Sequence, residues 1–492
     1  MSLKSAYIRE QKRYTQGELV KLFMGDESEI IRILKRLKEY GVLKVVKASD
    51  EQKTLTDLIE EDIEVADVEA GENEYLYIFT FVGVITVAGR IIKCYPKYLL
   101  HTEEPVSEMK QIIKVIEKYN GKEQIIRMVN DTTDSTAFNM LAVMLWMLQD
   151  YFENGSYSSL QDIIEINGTG EILWDKTINE TFAIINDNRP YYQDMYTRKR
   201  VNDDQDYFKR LHECVLTKCS KELASADLLN LFDILGVDLS DEEICDFGET
   251  DYILDRIYKE LNIQFGTRKQ MVLKTIYSYI ANSSTHIDDM DCFSMFGTNS
   301  FNLIWEKACS EILDNQLDRP IGLIALPVPL GDEFNQRTKL IDVIEHPIWF
   351  GKSEREYFEQ KAQDTLIPDI ISIYKENDKY KCIIFDAKYY NLQLEKNKPL
   401  RGQPGIESVT KQYLYQLAYK DFLDNHGMKQ ENINNCFLMP TEGDEIIETG
   451  YVMVEFLKRM GLGDISIRLL PACTVYQMYL ENKKMEIAKL NL

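Results

Sequence analysis

The sequence predicts an α+β multidomain protein, and three observations predict it. The chain has 492 residues, room for about three domains of ~150 residues and ample to bury several cores. Apolar residues make up 45% and charged residues 28%, an ordinary globular composition. The hydrophobic period also changes along the chain. It is helical over residues 1–40, β-rich over 75–98, helical from 104, and strand-turn-strand-helix after 366. These changes divide the chain into an N-terminal module (1–50), a β-rich and helical middle region (75–290) and a C-terminal α/β core (295–492).

Several classes are disfavoured at once. The longest apolar run, Met140–Leu148, has 9 residues, far below the ~18–20 a membrane helix needs. Met1–Arg13 carries no apolar stretch of the signal-peptide kind. Nine cysteines without a C-x-x-C pair suit a reducing cytoplasm better than disulfides or structural zinc. The five histidines show no H-x-x-x-H spacing, which speaks against a zinc hydrolase. Net charge is −24, yet it is segregated. Residues 1–50 hold 11 basic against 7 acidic side chains, and residues 51–80 hold 1 against 10. A basic contact surface therefore remains possible within a Debye length of ~8–10 Å.

In the N-terminal module, Gln16–Phe23 carries an apolar helical stripe through Leu19, Val20, Leu22 and Phe23. Ser28 is expected to cap a second helix with Ile30, Ile31, Leu34 and Leu37 inward. Gly41 ends it, and Val42–Val46 follows as a strand. Arg32, Lys35 and Arg36 lie on the other side of the second helix. Helix, helix, strand with a basic second helix is the pattern of a winged helix, whose second helix can enter a DNA major groove. The same pattern also serves as a protein-docking module or a solvated basic face.

The acidic stretch 51–74 reads as a linker. Tyr75–Tyr98 reads as a hairpin or small barrel with Gly83 and Gly89 at turns or bulges. Residues 104–166 read as helical, and Asn167–Gly170 as a turn before a strand Glu171–Trp174. That turn lacks the Lys-Ser/Thr of a phosphate-binding loop. Trp146 and Trp174 are expected in the core. Further helices are expected at 205–236 and 268–282, separated by the acidic stretch Asp241–Asp255.

The chemistry concentrates in residues 300–420. Leu366–Ile373 is a strand opening on Pro368-Asp369. A seven-residue turn, Lys375–Lys381, leads to a second strand ending in Asp386-Ala387-Lys388. Strand period two puts Asp386 and Lys388 on one face, and the hairpin can bring Asp369 beside them. Two carboxylates with a nearby ammonium suit metal-assisted phosphodiester hydrolysis, with Mg²⁺ or Mn²⁺ as the hard cation. Glu306, on an apolar-faced helix beginning near Leu303, is a third candidate carboxylate. A following helix places Gln412, Tyr415, Gln416 and Tyr419 on one face, turned toward the hairpin and substrate. The alternative buries Leu414, Leu417 and Ala418 instead. Between hairpin and helix, Asn391–Lys411 carries Lys396, Lys398 and Arg401, a loop able to track phosphates or simply a solvated linker.

The spacing Pro-Asp-x16-Asp-Ala-Lys resembles the PD-(D/E)XK nuclease motif. The ordered set of an LIWE helix, LIPDI, IIFDAKYY and YLYQLAY resembles the McrC family of restriction nucleases. FVGVITVAGRIIKCYPKY and NGTGEILWDKTIN resemble its LlaJI-type branch, so the likeness spans about residues 75–420. It implies Asp369 and Asp386 as metal ligands, Lys388 as catalytic lysine and Glu306 as an auxiliary carboxylate. Gln416 and Tyr419 match the family's helix in outline only. The resemblance also implies an AAA+ McrB-like NTPase partner in trans, because this chain has no nucleotide-binding motif. The expected function is a Mg²⁺-dependent endonuclease subunit acting on double-stranded DNA, with two active sites supplied by a homodimer or by converging complexes. The alternative is a non-catalytic adaptor that binds DNA through residues 1–50 and activates a partner NTPase. A nuclease acting on RNA ranks lower, since no aromatic stacking sheet is evident.

Overall fold

The computed structural model describes residues 4–47, 75–88, 90–130, 140–158, 160–187, 189–202, 207–282, 293–331, 334–353, 356–376 and 378–492. The acidic stretch 51–74 and Gly89 lie outside the described residues. The protein is mixed α and β and divides into two compact units. The first comprises Met1–Lys4, Thr86–Ile91 and Glu123–Met295, and the second Ser5–Ile85, Ile92–Lys122 and Phe296–Leu492. Among the described residues no helix is long and apolar enough to cross a membrane, and the described cysteines are all free thiols.

In the first unit, helices Met140–Asn154, Tyr207–Ser225, Thr250–Ile263 and Thr267–Ala281 bury their apolar sides. The run Met140–Leu148 is buried except for a half-buried Trp146. Asp150, in the last turn of the first helix, receives Arg268 Nε at 3.1 Å and Nη2 at 2.8 Å. His212 is buried and pushed down to about 3 by burial and by Arg268, so its neutral Nδ1 accepts the Tyr157 N–H at 2.9 Å.

Three expectations for this unit need correction. Leu160–Ile166 is a strand and not helix; its β-branched run pairs antiparallel with Tyr196–Asn202, the kind of segment that fits a pleated surface. Trp174 opens the helix Trp174–Glu180 and is 53% exposed, so it is neither a strand end nor a core residue. The acidic stretch 241–255 contains the start of Thr250–Ile263, where Ile253 and Ile257 turn inward. Acidity on the outer side of a helix is compatible with an apolar inner stripe.

The second unit starts at Ser5, within strand Lys4–Arg9, and continues with Arg13–Tyr14. Helix Gln16–Phe23 starts with a reciprocal Thr15–Glu18 capping box, which satisfies two otherwise orphaned backbone donors. The second helix, Glu27–Glu39, has Asp26 and not Ser28 at its N-cap position, without a side-chain capping bond, and its buried stripe is Ile30, Ile33, Leu34 and Leu37. Ile31 is only half-buried. Leu43–Lys47 then pairs antiparallel with Tyr75–Phe79, which also pairs with Arg13–Tyr14. The N-terminal sheet therefore takes a strand from beyond residue 50.

Tyr75–Tyr98 does not form one hairpin or barrel. Tyr75–Phe79 joins the N-terminal sheet, while Val82–Val87 and Arg90–Tyr95 join a separate sheet with Lys4–Arg9 and Phe293–Thr298. Gly83 is no turn. It lies mid-strand at φ +143°, where a Cβ would fall 2.1 Å from the Phe296 carbonyl oxygen. Only glycine allows the two backbones to approach so closely.

The C-terminal part holds a five-stranded sheet in the order Ile370–Glu376, Lys379–Ala387, Ile433–Thr441, Ile465–Pro471, Ile447–Val452. The first pair and the last pair are antiparallel and the inner pairings parallel. Helix Ile406–Asn425 makes the crossover between the second and third strands, as parallel pairing requires. The run Cys382–Phe385 is buried, as expected of an inner strand covered on both faces. The seven-residue turn expected at Lys375–Lys381 is shorter, because both strands continue through it and pair to Glu376↔Lys379.

Candidate active site

The first two strands of the five-stranded sheet place Asp369 and Asp386 side by side. Asp369 immediately precedes Ile370, which sits opposite Phe385, so the two aspartates meet at one end of the hairpin. Asp369 Oδ2 accepts the Ala387 N–H at 3.0 Å. Asp386, only 3% exposed, receives the Lys388 ammonium at 2.7 Å. The Lys388 N–H in turn donates to the Leu438 carbonyl at 2.8 Å, and the Trp305 indole N–H reaches the same oxygen at 3.3 Å.

Burying carboxylates is costly unless a cation or a proton neutralises them. Burial first, then the hydrogen bond and charge of Asp386, push the Asp369 carboxyl well above its ordinary range. Burial opposes the charge on Lys388, but Asp386 and Asp369 outweigh it and hold the ammonium above its usual value. Glu306, half-buried on helix Phe301–Ile312, is raised by burial, pulled back by Lys388 and pushed up by Asp386. It shares the electrostatics of the pair. Even so, among the described residues no group of three or more His, Cys, Asp or Glu side chains is placed to hold a metal ion. The donor set is a two-carboxylate site, which suits Mg²⁺. That ion is typically held by one or two carboxylates and completes its shell with water and substrate phosphate.

Two residues that the sequence reading did not single out fix Asp369. Asn315 Nδ2 donates to the Asp369 carbonyl at 3.0 Å and its Oδ1 accepts the Ile371 N–H at 3.2 Å. Gln316 Nε2 donates to the Ile373 carbonyl at 3.0 Å and its Oε1 accepts the Ile373 N–H at 3.2 Å. Side-chain amides thereby occupy the free edge of strand Ile370–Glu376, which would otherwise invite pairing with another chain. No local signal marks them, because their partners lie more than 50 residues away.

The helix after the hairpin turns its polar face inward: Gln412, Gln416 and Tyr419 are buried, while Leu414 and Leu417 are exposed. This overturns the alternative that buries the leucines. These buried polar groups bond within the fold, although Gln412 Oε1 and Gln416 Nε2 have no hydrogen-bond partner among the described residues. Gln412 Nε2 donates to the Ile384 carbonyl at 2.6 Å, Gln416 Oε1 accepts from Asn435 at 2.6 Å, and the Tyr419 hydroxyl donates to the Leu340 carbonyl at 3.2 Å. Of the three, Gln412 braces the strand that carries Asp386, Gln416 the neighbouring strand and Tyr419 the turn at Leu340. Burial, then the charges of Asp386 and Asp369, push the neighbouring Tyr415 up to about 12.

Lys396, Lys398 and Arg401 are exposed on a loop that ends at Gly405, since helix Ile406–Asn425 already includes Lys411. The loop is pinched by a Gln393–Arg401 bridge, and Lys398 pairs with Glu395 at 2.6 Å. On helix Glu27–Glu39, Arg32 is exposed and Lys35 and Arg36 are half-buried.

Comparison with known proteins adds to this geometry. Residues 81–476 match the LlaJI restriction endonuclease family. A Bacillus subtilis (strain 168) protein described as "Type II restriction enzyme BsuMI component YdjA" is 26% identical over 411 residues, 82% of this chain and 81% of that protein. Among solved structures, the McrB AAA+ hexamers with bound McrC from Thermococcus gammatolerans match at 11% identity and TM-score 0.37, over 97% of this chain and 99% of that one. The McrBC complex of the same organism matches at 12% identity and TM-score 0.26, over 62% and 85%. Likenesses this distant carry no functional argument. The family match covers most of the sequence, including Asp369, Asp386 and Lys388, and the chain belongs to the LlaJI restriction endonuclease family.

Proposed function

We propose that this chain is the DNA-cleaving subunit of a restriction system, with a PD-(D/E)XK nuclease site built from Asp369, Asp386 and Lys388. The observation that carries this reading is the buried aspartate pair with Lys388 2.7 Å from Asp386. Asp369 and Asp386 would hold Mg²⁺ or Mn²⁺. Such a cation supplies charge neutralisation at the scissile phosphate and makes an attacking water more acidic. Lys388, kept charged by the two acids, orients that water and offsets charge developing on the phosphoryl oxygens. Glu306 lies close enough to influence the proton balance of the site. Asn315, Gln316, Gln412 and Gln416 hold the strands in register, so the acids need no reorganisation before reaction.

The N-terminal helix pair, with Arg32, Lys35 and Arg36 on its second helix, is read as a winged-helix contact to double-stranded DNA. Lys396, Lys398 and Arg401 are read as phosphate contacts, which contribute affinity and not sequence choice. An AAA+ NTPase in trans is the proposed partner. Support comes from the relative described as a component of a restriction enzyme and from an apolar hairpin in the first unit. Among the described residues, its strands Ala183–Asn186 and Arg189–Tyr192 form a two-stranded sheet, and Ile184, Ile185 and Tyr191 are all exposed. Exposed apolar patches of this kind mark protein contacts.

Plasmid cleavage by the wild-type protein tests the proposal, with Mg²⁺ or with a chelator, and with or without an AAA+ NTPase partner. Cleavage that needs both the cation and the partner is the expected result. Absence of cleavage in every arm, with faster NTP hydrolysis by the partner, would instead establish the adaptor.

A further inference from the structure

Directly after Lys388 comes a buried polar contact that the hydrolysis does not itself use. The Tyr389 hydroxyl donates to Glu10 Oε2 at 2.6 Å, across 379 residues of sequence. The same carboxylate oxygen accepts the Lys97 N–H at 3.2 Å. Lys97 Nζ lies 4.5 Å from the centre of the Tyr389 ring and donates to Gln11 Oε1 at 2.8 Å. On the other flank, Asn391 Nδ2 donates to the Lys97 carbonyl at 2.7 Å. The Glu10 and Gln11 N–H groups are held by the carbonyls of Tyr95 and Phe79, both at 2.8 Å, with Gln11 in the left-handed region at φ 58°. The Tyr389 ring packs at 5.5 Å from Phe301, the residue that opens the Glu306 helix.

Burial pushes the Glu10 carboxyl above its ordinary range and the Lys97 ammonium below its own. A pair of apolar side chains could fill this space without desolvating either group, and such replacements are often neutral or stabilising. What the polar pair adds is direction. A hydrogen bond to a fixed acceptor sets where Tyr389 and the backbone on either side of it lie, where packing alone would allow sliding.

We infer that the Glu10–Tyr389 hydrogen bond is a positioning contact for Lys388, so that the N-terminal segment completes the hydrolytic site as well as contacting DNA. The inference rests on the nuclease reading proposed for Asp369, Asp386 and Lys388. Tyr389 and Glu10 touch no reacting atom; they act through the placement of the lysine. Misplacement of a reacting group by about 1 Å can cost on the order of 100-fold in rate.

The test is single-turnover cleavage of duplex DNA by the full chain with its NTPase partner and Mg²⁺, with DNA affinity measured on the same preparations. Tyr389→Phe keeps the ring and its packing, Glu10→Ala removes the acceptor, and Glu10→Gln keeps an acceptor oxygen. Tyr389→Phe and Glu10→Ala are each expected to slow cleavage by about 10- to 100-fold with DNA affinity within about twofold. The double variant should be about as slow as the slower single one, since both remove one bond. Glu10→Gln should stay within about threefold of wild type.

Tyr389→Phe cutting at the wild-type rate overturns the inference. So does an affinity loss that matches the rate loss, or effects that multiply in the double variant. Asp386→Ala is carried alongside. If it cuts as well as wild type, the nuclease reading fails and the inference with it. If Asp386→Ala is dead while Tyr389→Phe is normal, the inference alone fails.

Discussion

Two regions of this protein break the rule that polar groups face water and apolar groups do not, and they break it in opposite directions. At the end of the five-stranded sheet, Asp386 is 3% exposed and burial pushes the Asp369 carboxyl above its ordinary range. On the Ala183–Tyr192 hairpin, isoleucines and a tyrosine stand in water, and the adjoining Phe182 is 95% exposed. Each arrangement costs free energy in the isolated chain. The first three strands of that sheet are tied by side-chain amides, Asn315 and Gln316 on the edge strand, Gln412 on the Ile384 carbonyl and Gln416 on Asn435. Among the described residues the hairpin is a two-stranded sheet, and a lone two-stranded ribbon is marginal in water. In the function proposed above, the buried acid pair is the place for a cation and a substrate, and the exposed apolar ribbon the place for a protein surface.

Substitutions can break each side of this contrast separately. The largest effect is expected at the sheet end. Lys388→Ala should lower cleavage by about 10²- to 10³-fold while metal binding, followed by calorimetry, persists. Loss of the calorimetric signal would make Lys388 part of metal binding and not of water positioning. In the first unit, Asp150→Ala leaves Arg268 without its carboxylate and should cost about 2–3 kcal/mol in chemical denaturation. An unchanged denaturation midpoint would show that the ion pair contributes nothing there.

The cation side gives a pH prediction with a definite sign. The folded protein holds the Asp369 proton more tightly than the unfolded chain does. This stabilisation is complete below the ordinary carboxylate range and is lost as pH rises toward the raised value. Mg²⁺ competes with that proton, so its affinity should climb with pH, by up to about tenfold per unit. Affinity independent of pH would mean that the cation does not displace it.

The hairpin is expected to respond differently. Phe182→Ser with Ile185→Ser should shift stability by less than about 0.5 kcal/mol, as exposed positions do, yet remove stimulation of the partner's NTP hydrolysis. Full stimulation by this variant would put the docking surface elsewhere. The smallest effect concerns DNA contact. Replacing Arg32, Lys35 and Arg36 together by Ala should weaken DNA binding and reduce its salt slope by about 3. An unchanged slope would remove helix Glu27–Glu39 from the DNA interface.

The same contrast explains what the sequence makes legible. Asp369, Asp386 and Lys388 can be found from strand period and short spacing, because a hairpin converts local sequence into geometry. Helix Ile406–Asn425 is legible as a helix, and its Gln412–Tyr419 face as the one turned to the hairpin, but the depth of that face's burial is not. Its polar residues are buried because they bond to the Ile384 carbonyl and Asn435, partners that no local pattern reveals. Asn315, Gln316 and Glu10 escape notice for the same reason, since their partners are long-range. Gly83 reads as a turn because glycine usually marks one, and only the crossing with Phe296 explains its place mid-strand. The acidic stretch 241–255 hides a helix because charge on the solvent side masks the Ile253–Ile257 stripe.

The most direct test of the central claim compares wild type with Asp386→Ala in Mg²⁺-dependent plasmid cleavage, with the NTPase partner and its nucleotide present. The account predicts cleavage by wild type and none by the variant, which should keep its fold by circular dichroism. Cleavage by a folded Asp386→Ala protein would contradict it and place the hydrolytic site elsewhere.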